Sequence, residues 1–319
     1  MLRLFKGILI AILVLIVSGG VLYYAFPGLI LESAKHALRF WAGLERRDVQ
    51  VDDHHWVYLD GGKGETILFL HGFGAEKDRW GTFLPAFSKS YRLIVPDLPG
   101  FGESSRIASA RFDIPSQVKR LSKFVEAIGL DRFHVVGISM GGYISAYYAS
   151  EHSEKVMSLC LMDAAGVDSR IPSHLLQQHE KDGKVPFLYR TTDEFNDLMR
   201  LLFYRPPWLP GRFKDYMVQQ GDRDYDFREK ILRDMVEGGM NLLESRLPRI
   251  QARTLIIWGA NDRIVHVSSV EKFQEGLRNH HTVILEHCGH IPYFEKAKET
   301  RRAYRRFLAS LSKKHFPYP

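Results

Sequence analysis

The sequence contains little cysteine and lacks the motifs by which proteins hold metals or nucleotides. Only two cysteines, Cys160 and Cys288, occur among its 319 residues. They give no basis for inferring a disulfide, so we expect two buried thiols. The histidines do not stand at ligand spacing with cysteines or acidic residues, which argues against a metal site. No Gly-x-Gly-x-x-Gly loop follows a predicted strand. We therefore expect a protein that uses no metal and no other cofactor.

Internal repeats, low-complexity segments and nucleic-acid-binding motifs are also absent from the sequence. The net charge is nevertheless +7. A basic surface without a nucleic-acid motif favours anionic lipid head groups as its partner and argues against nucleic acid. With 45% hydrophobic residues over 319 positions, the chain can bury one large core. An α/β domain of this length is commonly a single unit.

One long apolar run stands near the start of the chain. Residues 7–26 are almost unbrokenly apolar and long enough to cross a bilayer as one helix, with Tyr23 and Tyr24 placed like interface anchors. The alternative is a cleaved signal peptide with its small-residue cleavage site at 18–20. Because the apolar character continues past this site to Leu31, we predict a retained transmembrane anchor over residues 1–28.

The residues in and around this run bear on the orientation of the predicted helix in the membrane and on dimer formation. Basic residues stand on both sides of the run, which leaves its orientation open: Arg3, Lys6, Lys35, Arg39, Arg46 and Arg47. We favour a short basic tail inside the cell and an exported globular domain. Small residues within the run could also pair two helices and form a homodimer, namely Gly7, Ala11, Ser18 and Gly19.

Residues 29–47 are predicted to form an amphipathic juxtamembrane helix. Apolar and charged side chains are interleaved there at roughly helical spacing, from Leu29 through Trp41 to Leu44. Such a helix can lie at the lipid surface or dock on the globular domain. A linker with helical propensity is the alternative.

Beyond residue 48 the sequence alternates between buried strands and helices. A hairpin is predicted over 49–59 and a helix over 114–128, while apolar strands are predicted at 66–70, 91–96, 133–138, 156–162, 254–258 and 282–285. This alternation is typical of a mostly parallel sheet with helices on both faces, that is, an α/β fold. We assign residues 48–167 and 250–319 to this core.

The region between these two parts of the core breaks the alternation. Residues 168–249 lack apolar β-runs and carry helical patterns around a Pro-Pro-Trp-Leu-Pro corner at 206–210. An insertion of this length is too long for a loop, so we predict a helical cap, or lid, over residues 168–249. Such a cap can supply the apolar walls of a binding site.

A Gly-x-Ser-x-Gly sequence separates a predicted strand from a helix. Gly137 and Gly141 flank Ser139, where a sharp strand-to-helix turn would bring the backbone too close for side chains. The turn would strain Ser139 and lift its hydroxyl out of the sheet, in front of a helix N-terminus that favours negative charge. We predict that Gly137, Ser139 and Gly141 form a nucleophile elbow with Ser139 as the nucleophile.

A nucleophilic serine needs a base and an orienting acid. His290 follows the last predicted strand and Asp262 follows the strand before it, so the chain order is Ser, Asp, His. We predict His290 as the base and Asp262 as the acid. His287 is the nearest rival for the base, and Asp163, which also follows a strand, is a rival for the acid.

The His-Gly-Phe-Gly sequence at 71–74 is predicted to complete the site. Its loop can direct the backbone N–H of Phe73 at the same point as the N–H of Met140, which would make an oxyanion hole. We expect His71 to be structural, with its imidazole bonded within the loop. Asp97 more plausibly braces a loop through backbone hydrogen bonds than acts as the acid.

These motifs together resemble the α/β-hydrolase superfamily over residues 49–312. The matching sequences are His-Gly-Phe-Gly at 71–74, Asp-Leu-Pro-Gly-Phe-Gly-Glu-Ser at 97–104, Gly-Ile-Ser-Met-Gly-Gly at 137–142 and Cys-Gly-His at 288–290. A serine at the elbow argues against the dehalogenase and epoxide hydrolase branches, which have aspartate there. Within the superfamily the chain resembles membrane-anchored monoacylglycerol lipases and bacterial inner-membrane phospholipases of the A type, by its N-terminal run and by residues 117–120, 124–126 and 256–259.

This resemblance implies a function without a cofactor. The expected activity is hydrolysis of carboxylic esters of lipids, with monoacylglycerol, lysophospholipid or phospholipid as substrate, at a bacterial inner membrane with the catalytic domain in the periplasm. No cap motif fixes the head group or the acyl length. A thioesterase or carbon–carbon bond hydrolase with the same three residues remains an alternative, as does a hydrolase-like binding protein without catalysis.

Overall fold

The computed structural model describes residues 2–311, without the side chains of residues 2–4, 7, 9–11 and 14–16. Residues 312–319, at the end of the predicted core range 250–319, lie outside this part. Two helices, α1 (Leu2–Ala25) and α2 (Pro27–Ala42), precede an eight-stranded sheet. The strands are β1 (Leu44–Val51), β2 (His54–Gly61), β3 (Thr66–Leu70), β4 (Arg92–Pro96), β5 (Phe133–Ile138), β6 (Val156–Met162), β7 (Arg253–Gly259) and β8 (His280–Leu285).

The sheet is mostly parallel, as predicted. Its strand order is β1-β2-β4-β3-β5-β6-β7-β8, and only the β1–β2 and β2–β4 pairs are antiparallel. The helices after β4 are α3 (Ile114–Ala127), α4 (Met140–Glu151), α5 (His174–Asp182), α6 (Thr192–Leu202), α7 (Gly211–Gly238), α8 (Ser269–Gly276), α9 (Pro292–Glu295) and α10 (Ala297–Leu311), with 3₁₀ segments at Lys77–Ala86 and Leu247–Arg249.

Helices cover both faces of this sheet. Along β3, Leu68 and Leu70 pack into one apolar core together with α3, α4 and α8. The alternate residues Ile67 and Phe69 pack into a second core with the Lys77–Ala86 segment and α10. A strand whose side chains are buried on both sides requires layers on both faces, so the predicted three-layer α/β architecture is confirmed.

Both cysteines lie in the second of these cores. Cys160 on β6 and Cys288 after β8 are free and buried. Burial raises the pKa of each thiol above its usual value, because a thiolate loses its hydration there. The prediction of two buried thiols is confirmed.

The start of the chain differs from the sequence prediction. Throughout residues 2–311, no helix is both long enough and apolar enough to cross a membrane. The structure therefore does not support the transmembrane anchor predicted over residues 1–28. Helix α1 covers the apolar run and ends at Ala25, just before α2 begins at Pro27. Helix pairing through Gly7, Ala11, Ser18 and Gly19 stays a prediction, because the side-chain environments of Gly7 and Ala11 are outside the described set.

The amphipathic helix predicted over 29–47 is shorter and begins earlier. Gly43 adopts a left-handed conformation with φ 65°, and its N–H caps the carbonyls of the last turn of α2. The chain then enters β1 at Leu44, so residues 44–47 are strand, and the hairpin predicted over 49–59 extends over both β1 and β2. Of the two roles considered for the helix, docking on the globular part is observed, since Arg39 and Ala42 are buried against it.

Three helices and no strand lie between β6 and the Leu247–Arg249 turn. Phe195 and Leu198 of α6 form a small apolar cluster with Tyr189, and Met217 and Val218 of α7 pack against it. The N-terminal end of α7 contacts the N-terminal helices, because the Arg212 guanidinium donates to the Tyr24 carbonyl at 2.7 Å. The boundaries 168 and 249 of the cap stay a prediction.

A substitution at Gly221 in α7 can test how tightly this helix packs against its neighbours. A Cβ at Gly221 would lie 2.0 Å from the Tyr189 ring. Alanine gains about 1 kcal/mol in helix propensity over glycine, but overpacking typically costs about 1–3 kcal/mol. We expect Gly221→Ala to lower the thermal unfolding midpoint. Gly211→Ala in the same helix is the control, since a Cβ there has nothing within 4 Å. An equal or higher midpoint for Gly221→Ala would contradict the packing.

Candidate active site

Ser139 stands at a strained turn between β5 and α4. Its backbone has φ 54° and ψ −121°, a conformation that residues with a Cβ rarely adopt. A Cβ at Gly137 would lie 2.2 Å from the Gly141 carbonyl oxygen, and a Cβ at Gly141 would lie 2.3 Å from the Leu70 carbonyl oxygen. Both positions therefore require glycine, for the reason that the sequence suggested.

The end of β6 and the loop after it hold the Ser139 backbone in this conformation. Its N–H donates to the Met162 carbonyl at 3.0 Å, and its own carbonyl accepts from the Ala165 N–H at 3.1 Å. Ser139 is only partly buried. Met140 opens α4, so its N–H has no acceptor within the helix and the positive end of the helix dipole lies beside the serine.

His290 and Asp262 form a buried hydrogen-bonded pair at the ends of β8 and β7. The distance between His290 Nδ1 and Asp262 Oδ2 is 2.7 Å, and each residue is 3% exposed. The other oxygen of Asp262 accepts from the Ile264 and Val265 N–H groups at 2.8 and 3.1 Å. These bonds fix the carboxylate and direct Nε2 of His290 away from it, as a base requires.

His287, the rival base, has a different position. It adopts φ 53°, and its ring packs against Tyr204, with 5.3 Å between ring centroids. The structure thus pairs Asp262 with His290. The His290 backbone N–H also donates to the Leu202 carbonyl at the end of α6, at 2.8 Å.

Asp163, the rival acid, lies beside this pair without replacing it. It is fully buried at the end of β6, and its Oδ1 accepts from the Gly259 N–H at 2.9 Å. Burial, together with the neighbouring Asp262 carboxylate, raises the pKa of Asp163 well above its usual value. A neutral Asp163 can donate a hydrogen bond to Asp262, whereas an ionised one would repel it.

The donor atoms of Asp163, Asp262 and His290 lie within 4.8 Å of one another, a spacing that could also hold a metal ion. Asp163 Oδ2 has no hydrogen-bond partner, but the other carboxyl oxygens and His290 Nδ1 are already engaged. Asp262 accepts two backbone N–H groups and pairs with His290, while Asp163 accepts the Gly259 N–H. The group therefore fits an acid–base system better than a set of metal ligands.

The loop after β3 lies against Ser139. A Cβ at Gly72 would be 3.2 Å from the Ser139 Cβ, so the loop backbone reaches the serine as closely as its glycine allows. The ring of the next residue, Phe73, packs against Phe101 and Phe187, each with 5.6 Å between ring centroids. This aromatic group gives the site an apolar side.

His71 has the structural role that the sequence suggested. Its Nε2 accepts from the Leu98 N–H at 3.0 Å, so its Nδ1 carries the proton and donates to the Gly72 carbonyl at 2.8 Å. Burial lowers the pKa of His71, which keeps the ring neutral and the tautomer fixed. His71 thereby joins the loop after β4 to the loop that contains Phe73.

Asp97 braces its loop, also as predicted, but its main partner was not anticipated. Its oxygens accept from the Lys77 N–H, the Lys77 Nζ and the Glu103 N–H at 2.6, 2.8 and 2.8 Å. Both Asp97 and Lys77 are fully buried. No local sequence pattern marks this ion pair, because the two residues belong to loops after different strands.

Glu295 was missed entirely by the sequence analysis. One of its oxygens accepts from the N–H groups of Gly289 and Tyr204, at 2.6 and 3.2 Å, and the other accepts from the Arg205 N–H at 3.1 Å. Glu295 thus bonds the loop of His290 to the segment after α6. Two of the backbone N–H groups that Glu295 binds are 90 and 91 residues away in the sequence, so no local motif could have identified it.

Asparagine substitutions separate the two carboxyl groups. Asn can donate and accept like a neutral carboxylic acid and tolerates the φ of 45° at Asp163, so Asp163→Asn should keep ester hydrolysis within about tenfold of the parent. Asp262→Asn should lower kcat by about 10³–10⁴, since it fixes the wrong imidazole tautomer. Steady-state hydrolysis of a p-nitrophenyl ester measures both. The reverse order of effects would make Asp163 the acid.

Comparison with known proteins agrees with this geometry. The family model for the alpha/beta hydrolase fold matches residues 65–297. Monoacylglycerol lipase abhd6-B of Xenopus laevis is 34% identical over 259 residues, which cover 78% of this chain and 77% of the lipase. Lipase 1 of Psychrobacter immobilis is 33% identical over 259 residues, which cover 80% of this chain and 81% of the lipase.

A solved structure extends the similarity to nearly the whole chain. It is the crystal structure of a membrane phospholipase A described as a bacterial virulence factor, with 38% identity and a TM-score of 0.87. The match covers 98% of this chain and 100% of that one. The extent of the family match, together with the identity to these lipases, shows that the chain belongs to the α/β-hydrolase family and is a serine hydrolase.

Proposed function

We propose that the protein is a membrane-associated carboxylic ester hydrolase that releases fatty acids from lipid esters through an acyl-enzyme on Ser139. The observation that carries the proposal is the His290–Asp262 pair at 2.7 Å, located at the same edge of the sheet as the strained Ser139 turn. Parallel strands β5, β7 and β8 all end at this edge, so their loops converge there.

The proposed reaction assigns one task to each group. His290 Nε2 accepts the proton of Ser139 as its Oγ attacks the ester carbonyl, and Asp262 stabilises the imidazolium that forms. The backbone N–H groups of Phe73 and Met140 stabilise the oxyanion. The proton then passes from His290 to the leaving alcohol, and a water molecule activated by His290 hydrolyses the acyl-enzyme and releases the fatty acid.

Two considerations favour lipid esters as substrates. The aromatic group of Phe73, Phe101 and Phe187 beside Ser139 suits an acyl chain better than a polar substrate. The relatives described above are named as monoacylglycerol lipase, lipase and phospholipase A. Monoacylglycerol, lysophospholipid and diacyl phospholipid are accordingly the three substrate classes to compare.

Membrane association is proposed through the N-terminal helices. The described apolar side chains of α1 that face solvent form a ready surface for lipid, with those of α2 continuing it: Phe5, Ile8, Ile12, Leu13, Val17, Val21, Leu22, Tyr24 and Leu29. The proposal keeps an anchor within residues 1–28, a catalytic domain on the periplasmic side of a bacterial inner membrane, and homodimers formed through this helix.

A substrate panel tests the proposed activity. The full-length protein in detergent should release fatty acid from at least one of monoacylglycerol, lysophospholipid and diacyl phospholipid. Ser139→Ala should lower this release to the uncatalysed background, a loss of about 10⁶ or as far as the assay can measure. Ser150→Ala, at the other end of α4, is the matched control and should be fully active. Equal activity of Ser139→Ala would exclude the mechanism.

Membrane association is tested by extraction. We expect the full-length protein to stay with the membrane fraction after washing with sodium carbonate at high pH, since apolar contacts with lipid do not depend on charge. A deletion of residues 2–25 should move the protein to the soluble fraction. Release of the full-length protein by carbonate would contradict an anchor within residues 1–28.

A further inference from the structure

Helix α2 contacts the segment that follows the Phe73 loop through buried ion pairs. The Arg39 guanidinium donates from Nε and Nη2 to the two oxygens of Asp78, at 2.7 and 2.6 Å. These two side chains are 9% and 5% exposed. One turn earlier in α2, the Lys35 Nζ lies 2.8 Å from Glu76. The bidentate geometry fixes α2 relative to residues 76–78 in both distance and orientation.

Lys77, between these two acidic residues, extends the contact inward. Its Nζ donates to Asp97 and to Glu103, at 2.8 and 2.5 Å, and its side chain is completely buried. Arg46 of β1 donates to the other oxygen of Glu103 at 2.7 Å. Lys77 and Arg46 together lower the pKa of Glu103 to about 2, so this carboxylate stays ionised. We call Arg39, Lys77, Asp78, Asp97 and Glu103 the α2 ion cluster.

The α2 ion cluster is connected to the Phe73 loop from both ends of that loop. On one side, Lys77 and Asp78 follow Gly74 after two residues. On the other, Asp97 precedes Leu98, whose N–H is bound by His71, and His71 in turn binds the Gly72 carbonyl. The peptide that contains the Phe73 N–H therefore lies between two attachments, both of which end in the same group of charges.

Such a cluster is a costly way to attach a helix. Buried ion pairs commonly stabilise a fold no better than apolar residues of the same size, because each charge loses its hydration. Their geometric demands are strict, however, since a displaced partner leaves a charge buried and unpaired. The α2 ion cluster is therefore better suited to fixing the position of α2 than to stabilising the fold.

We propose that Arg39 is a positioning residue for the oxyanion donor at Phe73, so that the docking of α2 sets the rate of acyl transfer. The inference rests on the proposed hydrolase function. An oxyanion donor interacts with charge that develops only in the transition state, so its displacement lowers kcat and leaves KM nearly unchanged. Removing one such donor typically costs about 10²–10³ in kcat, which sets the upper limit for displacing it.

The experiment uses the full-length protein in detergent and a short p-nitrophenyl ester, which does not depend on lipid binding. Arg39→Ala should lower kcat by about 10–100-fold with KM within about twofold. Arg39→Lys should be intermediate, because it keeps the charge without the bidentate bond. Arg47→Ala is the matched control and should be near the parent: Arg47 is half-exposed on the adjacent strand and pairs with Glu45 at 3.4 Å.

Three further measurements separate positioning from loss of structure. Added guanidinium ions should partly restore kcat of Arg39→Ala, and urea at the same concentration should not. The inhibition constant of a boronic acid, which forms a tetrahedral adduct at the serine, should rise in proportion to the fall in kcat/KM, while inhibition by the product fatty acid should stay the same. Arg39→Ala with Asp78→Ala should recover the unfolding midpoint but keep the low kcat.

The outcomes distinguish failure of this inference from failure of the proposed function. A parent protein without esterase activity would remove the hydrolase function itself. An active parent whose Arg39→Ala variant matches Arg47→Ala in kcat would overturn only the positioning role. Recovery of both the unfolding midpoint and kcat in the double variant would also overturn it, since the orphaned Asp78 charge would then account for the loss.

Discussion

The architecture of the site depends on one close approach of backbone to backbone. At the Ser139 turn, Gly137 and Gly141 leave no room for a Cβ, and the Gly141 position is closed by the carbonyl of Leu70 at the end of β3. The same contact that strains the serine thus places the strand leading to the Phe73 loop beside it. The proposed nucleophile and the predicted oxyanion donor are brought together by sterics before any side chain takes part.

Several buried polar groups around this turn are held by partners with a defined direction, although Asp163 Oδ2 has no hydrogen-bond partner. Asp262 is held by two backbone N–H groups, His71 by one donor and one acceptor, and Lys77 by two carboxylates. In a low-dielectric interior, groups that are fully bonded in this way cannot rotate without losing a bond. The proposed chemistry requires such fixed groups, because charge must be stabilised where it forms.

Local patterns in the sequence were sufficient for the sheet and for the elbow. The glycines around Ser139 and the apolar runs of β3, β5 and β7 each extend over only a few residues. They can therefore be interpreted without knowledge of contacts between distant segments. Chain order after the strands led to His290 and Asp262, whose hydrogen bond is now seen. Their catalytic roles, and those of Phe73 and Met140, stay predictions.

What the sequence did not reveal depends on contacts between distant segments. Lys77 and Glu295 act on loops that follow other strands, so no local spacing marks them. The end of α2 was missed for a different reason. The amphipathic pattern continues through Arg46 and Arg47, whereas the helix ends where Gly43 turns left-handed, and β1 then pairs with β2. Residues 7–26 are almost unbrokenly apolar, yet within residues 2–311 no helix meets the requirement for crossing a membrane.

The three hydrogen bonds accepted by Glu295 constrain how a substrate can reach the serine. They join the segment at Tyr204 and Arg205 to the His290 loop, so a movement of the predicted cap at this corner would carry His290, the proposed base, away with it. The segment at Tyr204 and Arg205 is therefore expected to stay in place relative to the His290 loop. Helix α5, by contrast, buries none of its residues and is bonded to the core at its first turn, where the Leu175 N–H donates to the Arg263 carbonyl at 3.1 Å. In the proposed lipid hydrolase, the part of α5 beyond Leu175 would therefore be the segment that moves to admit an acyl chain while the His290–Asp262 hydrogen bond stays intact.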